Sequence, residues 1–181
     1  MRGAFRRRLL RASLLLLLPS IPVACGWHAG LAGPDPGSSV GVEVFHLRRD
    51  ILERGLEPKL QAEVARALVD LVRAPIDSPR RADLIVRGEI VDVRRRQGIR
   101  SQENQLAETG LLISARASLV DRRSGEVLAT SPLRHIWSGY ATGEEAPENE
   151  AGARERALRH LAETLVLDLF RTGESRTSEG E

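Results

Sequence analysis

From Val40 onward the hydrophobic positions switch between a two-residue and a helical repeat. Val40, Val42 and Val44 alternate with Gly41 and Glu43, the pattern of a short half-buried strand. In residues 57–73, "EPKLQAEVARALVDLVR", Leu60, Val64, Leu68, Leu71 and Val72 fall on one helical stripe. Pro58 suits the first turn, where its missing N–H costs nothing, and Lys59 with Glu63 and Arg66 with Asp70 form i,i+4 pairs on the wet side. Each large side chain of such a stripe contributes about 1.5–3 kcal/mol once buried, so the helix needs a packing surface. Residues 82–96, "ADLIVRGEIVDVRRR", are rich in branched side chains and read as a strand, with a bulge expected at Gly88. Residues 109–121 alternate cleanly: Leu111, Ile113, Ala115, Ala117 and Leu119 point one way. "DRRSG" closes a hairpin. Residues 126–140 form the return strand, which Pro132 makes an edge or bends. After an acidic linker, a second helix from about Glu150 carries Leu158, Leu161, Leu165 and Leu169, backed by Ala162 and Val166. The order β-α-β-β-β-α predicts an α+β fold: a four-strand, mostly antiparallel sheet with two helices on one face.

The N-terminus has a different pattern. Arg2, Arg6, Arg7, Arg8 and Arg11 precede "LLLLLPSIPVA", with no acidic residue among them. A basic head, a short apolar middle and small residues at the end make a secretory signal over residues 1–24. The apolar run, broken by Pro19 and Pro22, is too short for a spanning helix of roughly 20 residues. The chain's single cysteine, Cys25, follows at once, and "VAC" before Gly26 resembles a bacterial lipobox. Cys25 is therefore expected to carry a lipid and begin the mature protein. The alternative is an unmodified thiol behind an ordinary cleavage site. Residues 25–38 are rich in Gly and Pro and read as a tether. Residues 39–171 hold the folded domain, and 172–181, "TGESRTSEGE", read as a disordered tail.

Charge changes its meaning once the signal is set aside. Over all 181 residues the formal charge is +2, but five of the 27 basic residues precede Cys25; the remaining 22 face 25 acidic ones, a net of −3. Nucleic acid as a partner loses its electrostatic footing. Aromatics make up 3% of the chain, which argues against a stacking platform for sugars or bases. No Gly-rich phosphate loop, metal-ligand spacing or nucleophile elbow appears, and His28, His46, His135 and His160 are not set beside a nucleophile. No cofactor, metal site or catalytic group is expected, and the chain reads as a non-enzyme. One local charge stands out: "RRRQGIR" ends the first long strand, with Arg94, Arg95, Arg96 and Arg100 in seven residues and Arg134 on a neighbouring strand. Such a cluster is either solvated strand-end charge or an anion site, since guanidinium forks bind phosphate bidentately.

Taken together, "CGWH", the valine-rich strand and long helix, "ADLIVRGEIVDV", "ISARASLVDRRSGEVLATS" and "ENEAGARERALRHLAETLVLDLF" resemble the LPS-assembly lipoprotein family, LptE. The resemblance spans nearly all of the mature chain. It implies an outer-membrane lipoprotein on the periplasmic side that plugs a β-barrel LPS-assembly protein, helps it assemble and assists lipopolysaccharide transport to the cell surface. Its implied partners are that barrel, lipopolysaccharide and, through the N-terminal lipid, the membrane. Arg94, Arg95, Arg96, Arg100 and Arg134 would then meet lipid A phosphates. Other classes stay open: a lipoprotein activating or scaffolding another cell-envelope complex, and a small hydrolase. Fold alone does not choose among them.

Overall fold

The structure is a computed structural model that describes residues 34–35, 37–96, 98, 102, 108–142 and 146–171. The signal, Cys25, most of the tether, Arg100 and the tail lie outside the described residues. Eight elements follow in order: β1 (Val40–Val42), β2 (His46–Leu47), α1 (Leu56–Val72), β3 (Leu84–Arg96), β4 (Glu108–Asp121), β5 (Val127–Thr130), β6 (Arg134–Ala141) and α2 (Ala146–Phe170). β1 and β2 both pair parallel with β3, β3 pairs antiparallel with β4, and β5 and β6 both pair antiparallel with β4. The sheet is thus four ranks wide, as the sequence pattern predicts, with each edge rank broken into two strands.

Both breaks have a local cause. On one edge, Phe45 leaves the ladder and buries its ring (2% exposed) over Gly88. A Cβ at Gly88 would stand 2.0 Å from Phe45 Cε1. Gly88 is therefore the seat of a ring and not the expected bulge; the register shifts instead between Ile90 and Asp92. On the other edge, Pro132 interrupts the rank as expected. Ser131 repairs the ladder there: its Oγ accepts from the Ala117 N–H at 3.0 Å, and its own N–H donates to the Ala117 carbonyl at 2.9 Å.

α1 and α2 pack on each other, with α2 laid against β4 and β6. Leu111, Ile113, Ala115, Ala117 and Leu119 all face this layer and are buried. From α2 come Leu158, Leu161, Ala162, Leu165, Val166 and Leu169, every one buried as expected. The α1 stripe differs in part. Leu60, Val64 and Leu68 are buried, but Leu71 is 39% exposed and Ala67 takes its place in the core. The helix ends just after Leu71, with Arg73 left-handed (φ 54°) and the Ala74 N–H closing back on the Leu68 carbonyl. Arg66 also turns to Glu63 at 3.2 Å and not to Asp70, because Glu63 sits between Arg66 and Arg159 of α2 (3.9 Å). Gln61 of α1 donates to the Val42 carbonyl at 2.7 Å and so covers part of the β1 edge.

Candidate functional site

The arginine-rich end of β3 lies where β3 leaves the sheet and β4 enters it, Arg96 standing opposite Gly110. Strand alternation sends Arg94 and Arg95 to opposite faces. Arg94 pairs with Asp92 at 2.7 Å on the face away from the helices, its side chain 69% exposed. Arg95 turns toward the helices and donates to Glu150 of α2 at 2.7 Å. Glu150 is shared: Tyr140 donates its hydroxyl at 2.9 Å and Arg154 donates at 2.9 Å, while Arg154 also meets Glu53 at 2.5 Å. The hydrogen bond from Arg95 holds the Glu150 carboxyl below the usual carboxylate range, against the opposing pull of its burial. Burial, then the neighbouring Glu150 carboxylate, pushes the Tyr140 phenol above its ordinary value.

Arg134 is placed elsewhere. It pairs across the sheet with Ala115, five residues along β4 from Gly110, or about 17 Å at strand rise. Its fork donates to both oxygens of Asp168 on α2, at 2.7 and 2.6 Å, and Asp168 is 8% exposed. This bidentate pair ties β6 to the last turns of α2. The structure therefore brings Arg94 and Arg95 together at the strand end, on opposite faces, and sets Arg134 on the helix side nearer the middle of the sheet.

Beside the arginine end lies an open cleft of about 550 Å³ lined by Asp50, Ile51, Leu52, Glu53, Asp92, Val93 and Arg95. Leu52 projects at its rim, 91% exposed. The Asp50 carboxyl is held below the usual range by its hydrogen bonds from Arg48, both 2.7 Å. The Glu53–Glu150–Arg154–Tyr140 network was invisible in the sequence because its members come from a loop, β6 and α2, with Arg95 and Glu150 separated by 55 positions.

The histidines behave as surface groups: His46, His135 and His160 are exposed. His135 Nδ1 lies 2.7 Å from Ser114 Oγ, but Ser114 is fully buried, which keeps its hydroxyl from a substrate. Among the described residues no group of three or more His, Cys, Asp or Glu side chains could hold a metal ion, and no helix is long and apolar enough to cross a membrane.

Comparison with known proteins adds the family. The structure is similar to that of a Xanthomonas campestris protein of family DUF330, at 17% identity and TM-score 0.51, covering 76% of this chain and 89% of that one. A Caulobacter crescentus protein described as a lipoprotein matches at 17% identity and TM-score 0.49, over 70% and 85% of the two chains. The PelC dodecamer protein of Paraburkholderia phytofirmans matches at 13% identity and TM-score 0.48, over 78% and 95%. At such identities the first likeness speaks for the fold alone. No curated protein sequence matches the chain. The lipopolysaccharide-assembly family LptE matches residues 39–171, the whole span from β1 through the end of α2, and the chain belongs to that family.

Proposed function

We propose that this chain is an outer-membrane lipoprotein, anchored through Cys25 on the periplasmic side, that plugs and helps assemble the β-barrel LPS translocon. It acts by binding and catalyses no reaction. The observation that carries this reading is the family match over the entire folded domain. The layout of the domain supports it. The tether joins the sheet at Val40, opposite Leu84 at the start of β3, and the arginines close the other end. Twelve residue steps of β3 separate the two, about 40 Å at strand rise. The point where the chain enters the sheet and the arginine-rich strand end are thus opposite ends of β3, which suits a domain entered from one side and contacting lipopolysaccharide at the other. Arg94, Arg95, Arg96 and Arg100 supply a secondary contact to lipopolysaccharide phosphates. Arg134 is committed to Asp168 and serves first to hold α2.

The test is cross-linking and co-purification of tagged protein from its native envelope. The expected product is a complex with a large β-barrel protein. Recovery of a cell-wall synthase or another envelope machine in its place would overturn the plug reading in favour of an activator or scaffold.

A further inference from the structure

We propose that the groove between α1 and the free edge of β1 is the seat of this chain's own tether, residues 29–33, "AGLAG", with the Leu31 side chain in the groove. The groove holds about 270 Å³ and is lined mainly by apolar side chains, among them Val42, Ala62, Ala65 and Ile76. That is below the roughly 300–1,000 Å³ of small-molecule clefts and suits a single side chain. Of the lining, Ile76 is left 42% exposed. Its polar members are already engaged. The Gln61 amide donates to the Val42 carbonyl at 2.7 Å, and Asp77 Oδ1 accepts from the Ser78 N–H and from Arg81, at 2.6 and 2.8 Å. An uncharged, apolar occupant therefore fits, and "AGLAG" carries no polar or charged side chain.

The backbone leading into β1 points to this occupant. The Ser38 N–H donates to the Asp35 carbonyl at 2.8 Å, with Gly37 at φ 93°, a reverse turn that needs a positive φ. Residues before Asp35 are thus sent back along the line of β1. Counted through the turn, Gly33 comes level with Val40 and Leu31 level with Val42. At Val40 the edge is closed: its N–H donates to the Pro75 carbonyl at 2.8 Å, and its carbonyl accepts from the Asp77 N–H at 3.2 Å. Two residues on, at Val42, the groove opens. Residues 29–33 lie outside the described residues and end next to Pro34, which is described. From Pro34 to Leu31 the chain reaches about 10 Å, against about 7 Å from Val40 to Val42. Alanine and glycine on both sides of Leu31 let the backbone lie close to the helix. Docking leaves four residue steps between Cys25 and Ala29, about 13 Å extended, in place of about 43 Å from Cys25 to Ser38. The domain is then held close to its anchor. That consequence rests on the lipid proposed for Cys25; the docking does not.

The test uses the unlipidated, mature-length Cys25→Ser protein, residues 25–181, so its outcome is independent of the anchor and of the barrel. The expected result in isotope-labelled protein is methyl nuclear Overhauser contacts from Leu31 to Ala62 and Ala65. Backbone order parameters at Gly30 and Gly33 should be about 0.85, the value of rigid backbone. Leu31→Asp should abolish the contacts and drop both glycines below ~0.6, the flexible range, while the domain's signals away from the groove stay in place. Ala62→Glu, at an exposed helix position, should release the segment from the groove side, and Leu31→Met should keep it docked. Should Ala62→Glu fail to fold, Leu31→Asp, outside the folded domain, still decides. Order parameters below ~0.6 in the starting protein overturn the proposal. So do contacts from Leu31 to another surface, or a rigid segment that both variants leave in place. Contacts that appear only as protein concentration rises would make a second copy the occupant and overturn it too.

Discussion

At Gly88 a missing side chain is replaced by another residue's ring. Phe45 is buried there, and even a methyl group would overlap its edge. Gly88→Ala should therefore destabilise by about 1–3 kcal/mol, the range of an overpacked core. Phe45→Leu also destabilises, but the double variant should lose less than the sum, because the smaller side chain makes room for the methyl group. Additive losses in a urea-unfolding double-mutant cycle would show that the ring simply moves aside. Glu150 gives a second prediction at this scale. Its folded-state pKa is depressed, first by the Arg95 hydrogen bond, so its contribution is present above the unfolded carboxyl value near ~4.3 and is lost as pH falls through the lower folded value. Glu150→Gln should cost about 1–3 kcal/mol at neutral pH, the weight of a charge-assisted hydrogen bond, and the difference from wild type should shrink on acidification. A difference that stays constant down to strongly acid pH would mean that the carboxylate charge contributes nothing.

Helices and strands were legible wherever one physical pattern dominated. The β4 alternation and the α2 stripe survive intact because each buries one face along its whole length. α1 departs at its last turn: Leu71 has the right spacing but stays exposed in the turn where the helix ends at Arg73. Leu161→Ala and Leu68→Ala should each cost about 2–5 kcal/mol in denaturant unfolding, whereas Leu71→Ala should cost under ~1 kcal/mol, as surface changes do. Equal losses at Leu68 and Leu71 would place both in one core. Pro132 announced the broken return strand, since it cannot donate to a ladder. The other broken edge was hidden, because Phe45 and Gly88 meet only after β2 is laid beside β3. The arginine cluster was half legible for the same reason. The triplet itself is local, but strand pairing decides that Arg95 turns to Glu150 and Arg134 to Asp168, and the Trp137 ring finds room only because Gly110 and Gly139 face each other across strands.

For the molecule as a whole, the tether and the arginines stand at opposite ends of β3, and the two ends can be tested separately. Cys25→Ser should leave the domain folded and, by removing the site of the lipid, release it from the membrane; mass spectrometry of the wild-type mature N-terminus should find a lipid-modified Cys25. Membrane retention of the variant, or an unmodified Cys25, would remove the anchor from the argument. At the other end the choice of substitutions matters. Replacing Arg95 strips a partner from Glu150 in a part-buried network, so a loss of lipopolysaccharide binding could follow from disturbed packing. Arg94 is different: its own side chain is 69% exposed in the pair with Asp92, and surface ion pairs contribute only about 0–1 kcal/mol. Arg94→Ser should therefore leave denaturant unfolding nearly unchanged, and it is combined with Arg96→Ser for the binding test. It should weaken lipopolysaccharide binding, because the guanidinium fork holds phosphate with two hydrogen bonds and keeps its charge at any cellular pH. Wild-type binding should also fall with added salt, as Coulomb attraction is screened over ~10 Å at 0.1 M. A double variant that folds, keeps its barrel partner and binds lipopolysaccharide as well as wild type would reduce these arginines to solvated strand-end charge, and the protein would then act through its barrel contact alone.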